Sequence, residues 1–180
     1  MSEYEVSPKI FLTDYGSYNE GRQFEFGHWL DLEKFASHEE LMEYISKHFN
    51  DCDQKSPLFG SPREEIMITD YEGFPKGLYS ECGNLEKIMA YLNIVEESTY
   101  GSEVFEAYLE MNDLPESMED LEESVESSYI GEFASNIDYA HYVFEDHEIP
   151  EGLPYSCIDW SWVARDLEFT SHNGHYFTYN

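Results

Sequence analysis

Residues 118–126 read MEDLEESVE. Glu119, Glu122, Glu123 and Glu126 stand at i, i+3, i+4 and i+7, a spacing that gathers them on one face of a helix. Met118, Leu121 and Val125 fall on the other side, as expected of an amphipathic helix that buries one stripe and turns the opposite one to water. Seven steps of about 1.5 Å each put the four charges on roughly 10 Å of axis, or one per roughly 2.6 Å. Duplex DNA carries one charge per about 1.7 Å, and a single strand one per about 3.4 Å. Like charges at i, i+4 cost a helix about 0.2–0.5 kcal/mol per pair, so this pattern is kept against the interest of the fold. An ordinary solvated acidic face has the same spacing. The charge around the helix must therefore decide between the two readings.

That surrounding stretch, 88–164, contains 19 carboxylates and no lysine or arginine, with His141 and His147 as its only possible cations. The 87 residues before it hold 18 acids and 8 bases, and the tail from Arg165 holds 2 acids and 1 base, so the net charge divides as −10, −19 and −1. The candidate contact residues are the carboxylates of Glu96, Glu97, Glu103, Glu106, Glu110, Glu119, Asp120, Glu122, Glu123, Glu126, Glu132, Asp138, Glu145 and Asp146.

A net charge of −30 over 180 residues disfavours binding to DNA, RNA or anionic lipid, and attracts a basic partner. Strong acidity often goes with disorder, but that inference needs few aromatics, and this chain has 15 Tyr, 12 Phe and 3 Trp. It is expected to fold. Cys52, Cys82 and Cys157 are odd in number, far apart and in no metal or redox spacing, which fits a reduced, cytoplasmic compartment. No apolar run approaches the roughly 18 residues of a membrane span, and no basic start precedes an apolar run as in an export signal.

Along the chain, 9–14 (KIFLTD) reads as a strand and 23–30 as a second, with Phe24 and Phe26 on one face. Ser37 and Glu40 form a capping box ahead of Leu41, Ile45 and Phe49 at i, i+4, i+8. A polar loop is expected over 50–62, then a third strand over 65–71. From Asn84 the period becomes helical: Leu85, Ile88, Met89, Leu92 and Val95 share one face, and a helix from Ser102 sets Phe105, Tyr108 and Leu109 against Glu103, Glu106 and Glu110. A short strand at 129–134, a helix over 136–146, a last helix carrying Trp160, Val163, Ala164 and Leu167, and a hairpin turning at Asn173-Gly174 complete the chain. The predicted fold class is α+β, as an elongated series of three small domains: 1–80 (α+β), 81–126 (helical) and 127–180 (α+β).

Signals for catalysis or metals are poor. The stretch 16–21 (GSYNEG) has the gap of a phosphate loop, but Arg22-Gln23 stands where Lys-Ser or Lys-Thr is needed. The stretch 51–62 opens like a calcium loop, but Ser56 and Pro62 occupy its glycine and glutamate positions. His172 and His175 flank a turn without a third ligand at metal spacing. No catalytic residue, metal or cofactor is predicted.

Several pieces of the chain together resemble the ArdA antirestriction family: FLTDYGSYNEG (11–21), GHWLDL (27–32), ITDYEGFP (68–75), YIGEFAS (129–135), IPEGLPYSCIDWSWVARDLEF (149–169) and GHYFTYN (174–180). YNEG and the run from Ile158 to Leu167, an I-D-aromatic-x-x-x-A-R-D-L pattern with Trp160 at the aromatic position, are the most specific. The resemblance implies a DNA mimic encoded by mobile elements, which occupies the DNA-binding groove of type I restriction-modification enzymes. It further implies three small domains, dimerisation through the third, and an antirestriction segment at about 144–160, whose proline and leucine positions match Pro150 and Leu153.

The reading is thus a non-enzymatic inhibitor, with an acidic chaperone or scaffold for basic proteins as the alternative from another class. For self-association, 153–163 (LPYSCIDWSWV) offers apolar and aromatic side chains against the single acid Asp159. A homodimer is expected there, with Ile149, Leu153, Tyr155, Ile158 and Trp162 at the interface.

Overall fold

In the computed structural model, residues 6–60, 62–145, 147 and 154–179 are described. They form eight α-helices and two three-stranded antiparallel sheets. The chain divides into two compact units, Met1–Glu97 and Ser98–Asn180.

The first unit holds β1 (Lys9–Asp14), α1 (Tyr15–Asn19), α2 (Gln23–Phe26), β2 (His28–Asp31), α3 (His38–Lys55), β3 (Ile66–Glu72) and α4 (Leu85–Glu97). β1 is the central strand, in the order β2-β1-β3. Ile10 lies opposite Leu30, and Leu12 opposite Ile68. All four are buried, so side chains alternate inward and outward over 9–12, after which Thr13 and Asp14 are buried as well.

Helix α3 starts where its capping box predicts. Ser37 Oγ accepts from the Glu40 N–H at 3.3 Å, while the Glu40 carboxylate reaches back to the Ala36 N–H at 2.9 Å. It runs on to Lys55, through the first half of the segment expected to be a loop. Cys52 extends the buried stripe of Leu41, Ile45 and Phe49 by one more turn, so the polar residues at 50–55 form the wet side of a helix.

The strand expected over 23–30 is split. Its first four residues are helical in α2, Gly27 carries the change of direction, and only His28–Asp31 is extended. A Cβ at Gly27 would lie 2.4 Å from Gln23 O and 2.8 Å from the Phe11 ring, so a bulkier residue would clash at the bend. Phe24 is 75% exposed, so its alternation with Phe26 does not mark an inward strand face.

The stretch resembling a phosphate loop is helix α1, capped by Asp14, whose Oδ1 accepts from the Ser17 N–H at 2.7 Å. The same carboxylate lies 3.4 Å from Arg63 Nε, and the Arg63 side chain is fully buried. Arg63 also donates to Ser17 Oγ (3.1 Å), the Ser56 carbonyl (3.0 Å) and Asp53 Oδ1 (2.5 Å). Its guanidinium sits 5.0 Å from the centre of the Phe26 ring. One buried cation thus ties β1, α1, α2 and the end of α3 together.

The second unit holds α5 (Ser102–Met111), α6 (Met118–Ser128), β4 (Tyr129–Glu132), α7 (Asn136–Val143), α8 (Trp160–Asp166), β5 (Phe169–His172) and β6 (His175–Thr178). The sheet order is β4-β6-β5, and His175, Tyr176 and Phe177 of the central strand are buried. The β5–β6 turn has φ 49° at Asn173 and 86° at Gly174, the paired left-handed residues of the expected type I′ turn. His175 accepts or donates at 3.1 Å to the Tyr129 hydroxyl across the sheet, so it is a structural histidine. α7 ends at Val143, three residues short of expectation, with Phe144 as its C-cap.

Removing one partner of a buried ion pair leaves the other charge uncompensated and costs about 3–5 kcal/mol. Arg63→Met strands the nearly buried Asp14. Chemical denaturation of the full chain followed by circular dichroism should show destabilisation of that order. A loss under about 1 kcal/mol would mean that the network is dispensable.

Candidate functional site

Helix α6 begins at Ser117, whose Oγ accepts from the Asp120 N–H at 3.0 Å. Met118, Leu121 and Val125 are at most 5% exposed, which fixes the rotation of the helix. Glu119, Asp120, Glu123 and Glu126 are exposed as a result, and Glu122 is half-buried at the border. Burying Leu121 and Val125 contributes about 1.5–3 kcal/mol each, more than the repulsion among the glutamates costs. Glu119 and Asp120 lie in the first turn, where the helix dipole favours anions. Glu126 lies near the last, where it does not.

Helix α5 repeats the arrangement. Val104, Phe105 and Ala107 are buried, while Glu103, Glu106 and Glu110 face solvent. Glu106 keeps contact with water, yet protein atoms crowd its carboxyl and raise its pKa above the ordinary range, with repulsion from Glu103 and Glu110 adding to the effect. In the same unit Glu132, Asp138 and Glu145 are exposed. Ser135 Oγ donates to Asp138 Oδ2 at 2.6 Å, so that carboxylate also serves the start of α7. Glu96 and Glu97 are exposed at the end of α4 in the first unit. Asp146 lies outside the described residues.

Of the residues expected at a dimer interface, Trp162 is 58% and Tyr155 51% exposed. Ile158 is half-buried, and Ile149 and Leu153, like Pro150, lie outside the described residues. Asp159 caps α8 by accepting from the Trp162 N–H (3.1 Å) and Ser161 Oγ (2.6 Å), and these bonds hold its carboxyl below the usual carboxylate range, the Ser161 hydroxyl first. Trp160 packs inside its own unit, stacked on His141 with ring centres 4.2 Å apart and 4.9 Å from Tyr155. Sequence periodicity does not reveal this stack, because His141, Tyr155 and Trp160 come from three separate segments. Among the described residues no group of three His, Cys, Asp or Glu side chains is placed to hold a metal ion, and no helix is long and apolar enough to cross a membrane.

A family model described as Antirestriction protein (ArdA) matches residues 10–179. The chain belongs to the ArdA antirestriction family. No curated protein and no solved structure gives a significant match. ArdA membership implies an antirestriction function, and ArdA proteins are inhibitors rather than enzymes. It also gives the charge of this ArdA chain a context in restriction enzymes as targets.

The raised pKa of Glu106 has a definite sign in stability. The folded chain holds this proton over a pH window in which the unfolded chain has released it, so the group's contribution to stability improves as pH falls through the folded value and levels off below the ordinary 4.5. Glu106→Gln should therefore raise the Tm at pH 7, with the advantage shrinking as pH approaches 4.5. Thermal melts from pH 7 to 4 check this, and a pH-independent difference would argue against the cause given.

Proposed function

We propose that this chain takes the place of DNA in the DNA-binding groove of a type I restriction-modification enzyme, at its specificity and methyltransferase core, and so protects incoming mobile DNA in the cytoplasm. The observation that carries this reading is α6. Its apolar stripe is buried and its glutamate row lies on the solvent side, at a linear charge density between those of single-stranded and duplex DNA. Exposed Glu96, Glu97, Glu103, Glu106, Glu110, Glu132, Asp138 and Glu145 extend the set of phosphate-like groups. The absence of lysine and arginine across 88–164 leaves them uncompensated within their own segment. We treat 1–80, 81–126 and 127–180 as three functional modules, the middle one acidic and helical. No cofactor is required for such an inhibitor.

Competition is the direct test. Titrated protein should displace DNA from a type I specificity complex in a gel shift, and inhibition should weaken as salt rises. Changing Glu119, Glu122, Glu123 and Glu126 together to Gln should reduce inhibition by about tenfold or more, while each single change has a small effect. Unchanged DNA occupancy at saturating protein would overturn the proposal. Equal binding to unrelated basic proteins by the parent and the quadruple variant would favour an acidic chaperone.

The same reading includes a symmetric homodimer built on Ile158 and Trp162, together with Ile149 and Leu153; Tyr155, expected there as well, is hydrogen-bonded to His141 of its own chain. Two chains at −30 repel each other, so added salt should favour association by screening. Sedimentation at micromolar concentration should show a dimer that Trp162→Glu dissociates. A monomer at all salt concentrations would count against it.

A further inference from the structure

Beside the carboxylate faces the second unit contains a cavity of about 470 Å³ lined by His141, Tyr142, Phe144, Glu145, His147 and Tyr155. Four of the six are aromatic or imidazole rings from the end of α7 and the turn after it, and Tyr155 closes the other side. The wall is built: His141 is hydrogen-bonded through Nδ1 to the Tyr155 hydroxyl, lies 5.6 Å from the Tyr155 ring, and rests on Trp160 at 4.2 Å. Phe144 stands 4.8 Å from His147 and 6.3 Å from Trp160. Among the described residues of the lining Glu145 is the one carboxylate, and it is exposed.

Aromatic faces around a carboxylate are the chemistry that receives an organic cation, because the ring quadrupoles and the anion attract the same charge. Arginine suits it best, since a planar guanidinium stacks on rings while its N–H groups reach a carboxylate. The chain has no lysine or arginine between 88 and 164 to occupy the cavity from its own segment, and its field draws in cations. We infer that this cavity binds an arginine side chain of the target protein, with Glu145, one of the phosphate-like carboxylates, as its anion. The inference rests on the function proposed above, because a DNA-binding groove is where a partner presents such arginines. An anchor of this kind supplies what a row of surface charges lacks: a position that fixes the register of the mimic in the groove.

The probe is Nα-acetyl-arginine amide, with the uncharged citrulline counterpart as control, titrated into the full chain at pH 8 and followed by NMR. The reporter is the indole N–H of Trp160, which is buried without a hydrogen-bond partner among the described residues; Trp160→Phe assigns it among the chain's three tryptophans. The arginine probe should give a saturable shift at this signal and the citrulline probe none. Tyr142→Ala removes an exposed ring without changing charge, and should weaken the probe by about threefold or more. It should also reduce inhibition of the restriction enzyme, whereas Glu126→Gln should leave the probe shift unchanged. A missing or unsaturable shift, equal binding of citrulline, or full probe binding by a folded Tyr142→Ala overturns the arginine site. Probe binding that Tyr142→Ala weakens with inhibition intact overturns the target's arginine as the occupant. Should the unsubstituted chain inhibit no type I enzyme, the proposed function and the partner fall together, while the titration still decides whether the cavity takes a guanidinium.

Discussion

Mutual repulsion among the carboxylates of 98–164 is the constraint to which the second unit answers. No lysine or arginine in that stretch can neutralise them, so the opposing free energy must come from apolar burial on the far side of each element. Leu121 and Val125 in α6 and Phe105 in α5 are fully buried, and each offsets more than one unfavourable i, i+4 pair. The acidic faces are thus held in place by what lies behind them. Their crowding is tolerated at a local cost, visible in the raised pKa of Glu106.

The aromatic content follows from the same constraint. A chain with few cations cannot hold its elements together through ion pairs, and rings bury large areas with few charged atoms. Around β6, Tyr176 packs within 5.3 Å of Phe133, Tyr139 and Phe169, while Phe177 lies 5.3 Å from Tyr129 and 5.6 Å from Tyr108. These contacts join α5, α7, β4 and β5 to the central strand. The first unit, with more bases, uses a different device: Arg63 is buried between Asp14 and Asp53. A single guanidinium with several donors does there what many rings do in the second unit.

Family membership and charge point the same way by separate routes. The match over 10–179 comes from residue identities along nearly the whole chain, including uncharged stretches such as YIGEFAS. The rotation of α6, by contrast, comes from three buried side chains.

Wherever a local rule was sufficient, the sequence alone determined the outcome. The run KIFLTD gave β1 with its bounds, Ser37 and Glu40 marked the start of α3, and Asn173-Gly174 marked the hairpin, because strand alternation, capping and left-handed turns depend on near neighbours. The outward direction of the glutamates in α6 was legible for the same reason, since 3.6 residues per turn relate them to Leu121 and Val125 without reference to the rest of the fold. Tertiary structure decided what distant partners control. Gly27 becomes a bend between α2 and β2 because the Phe11 ring stands over it, and α3 continues to Lys55 because Cys52 has an interior to enter. Asp14, Asp53 and Arg63 read as unrelated charges until folding brings them together. The aromatic cavity likewise exists only where the end of α7 meets Tyr155, because a wall made of segments far apart in the chain has no period for a sequence to display.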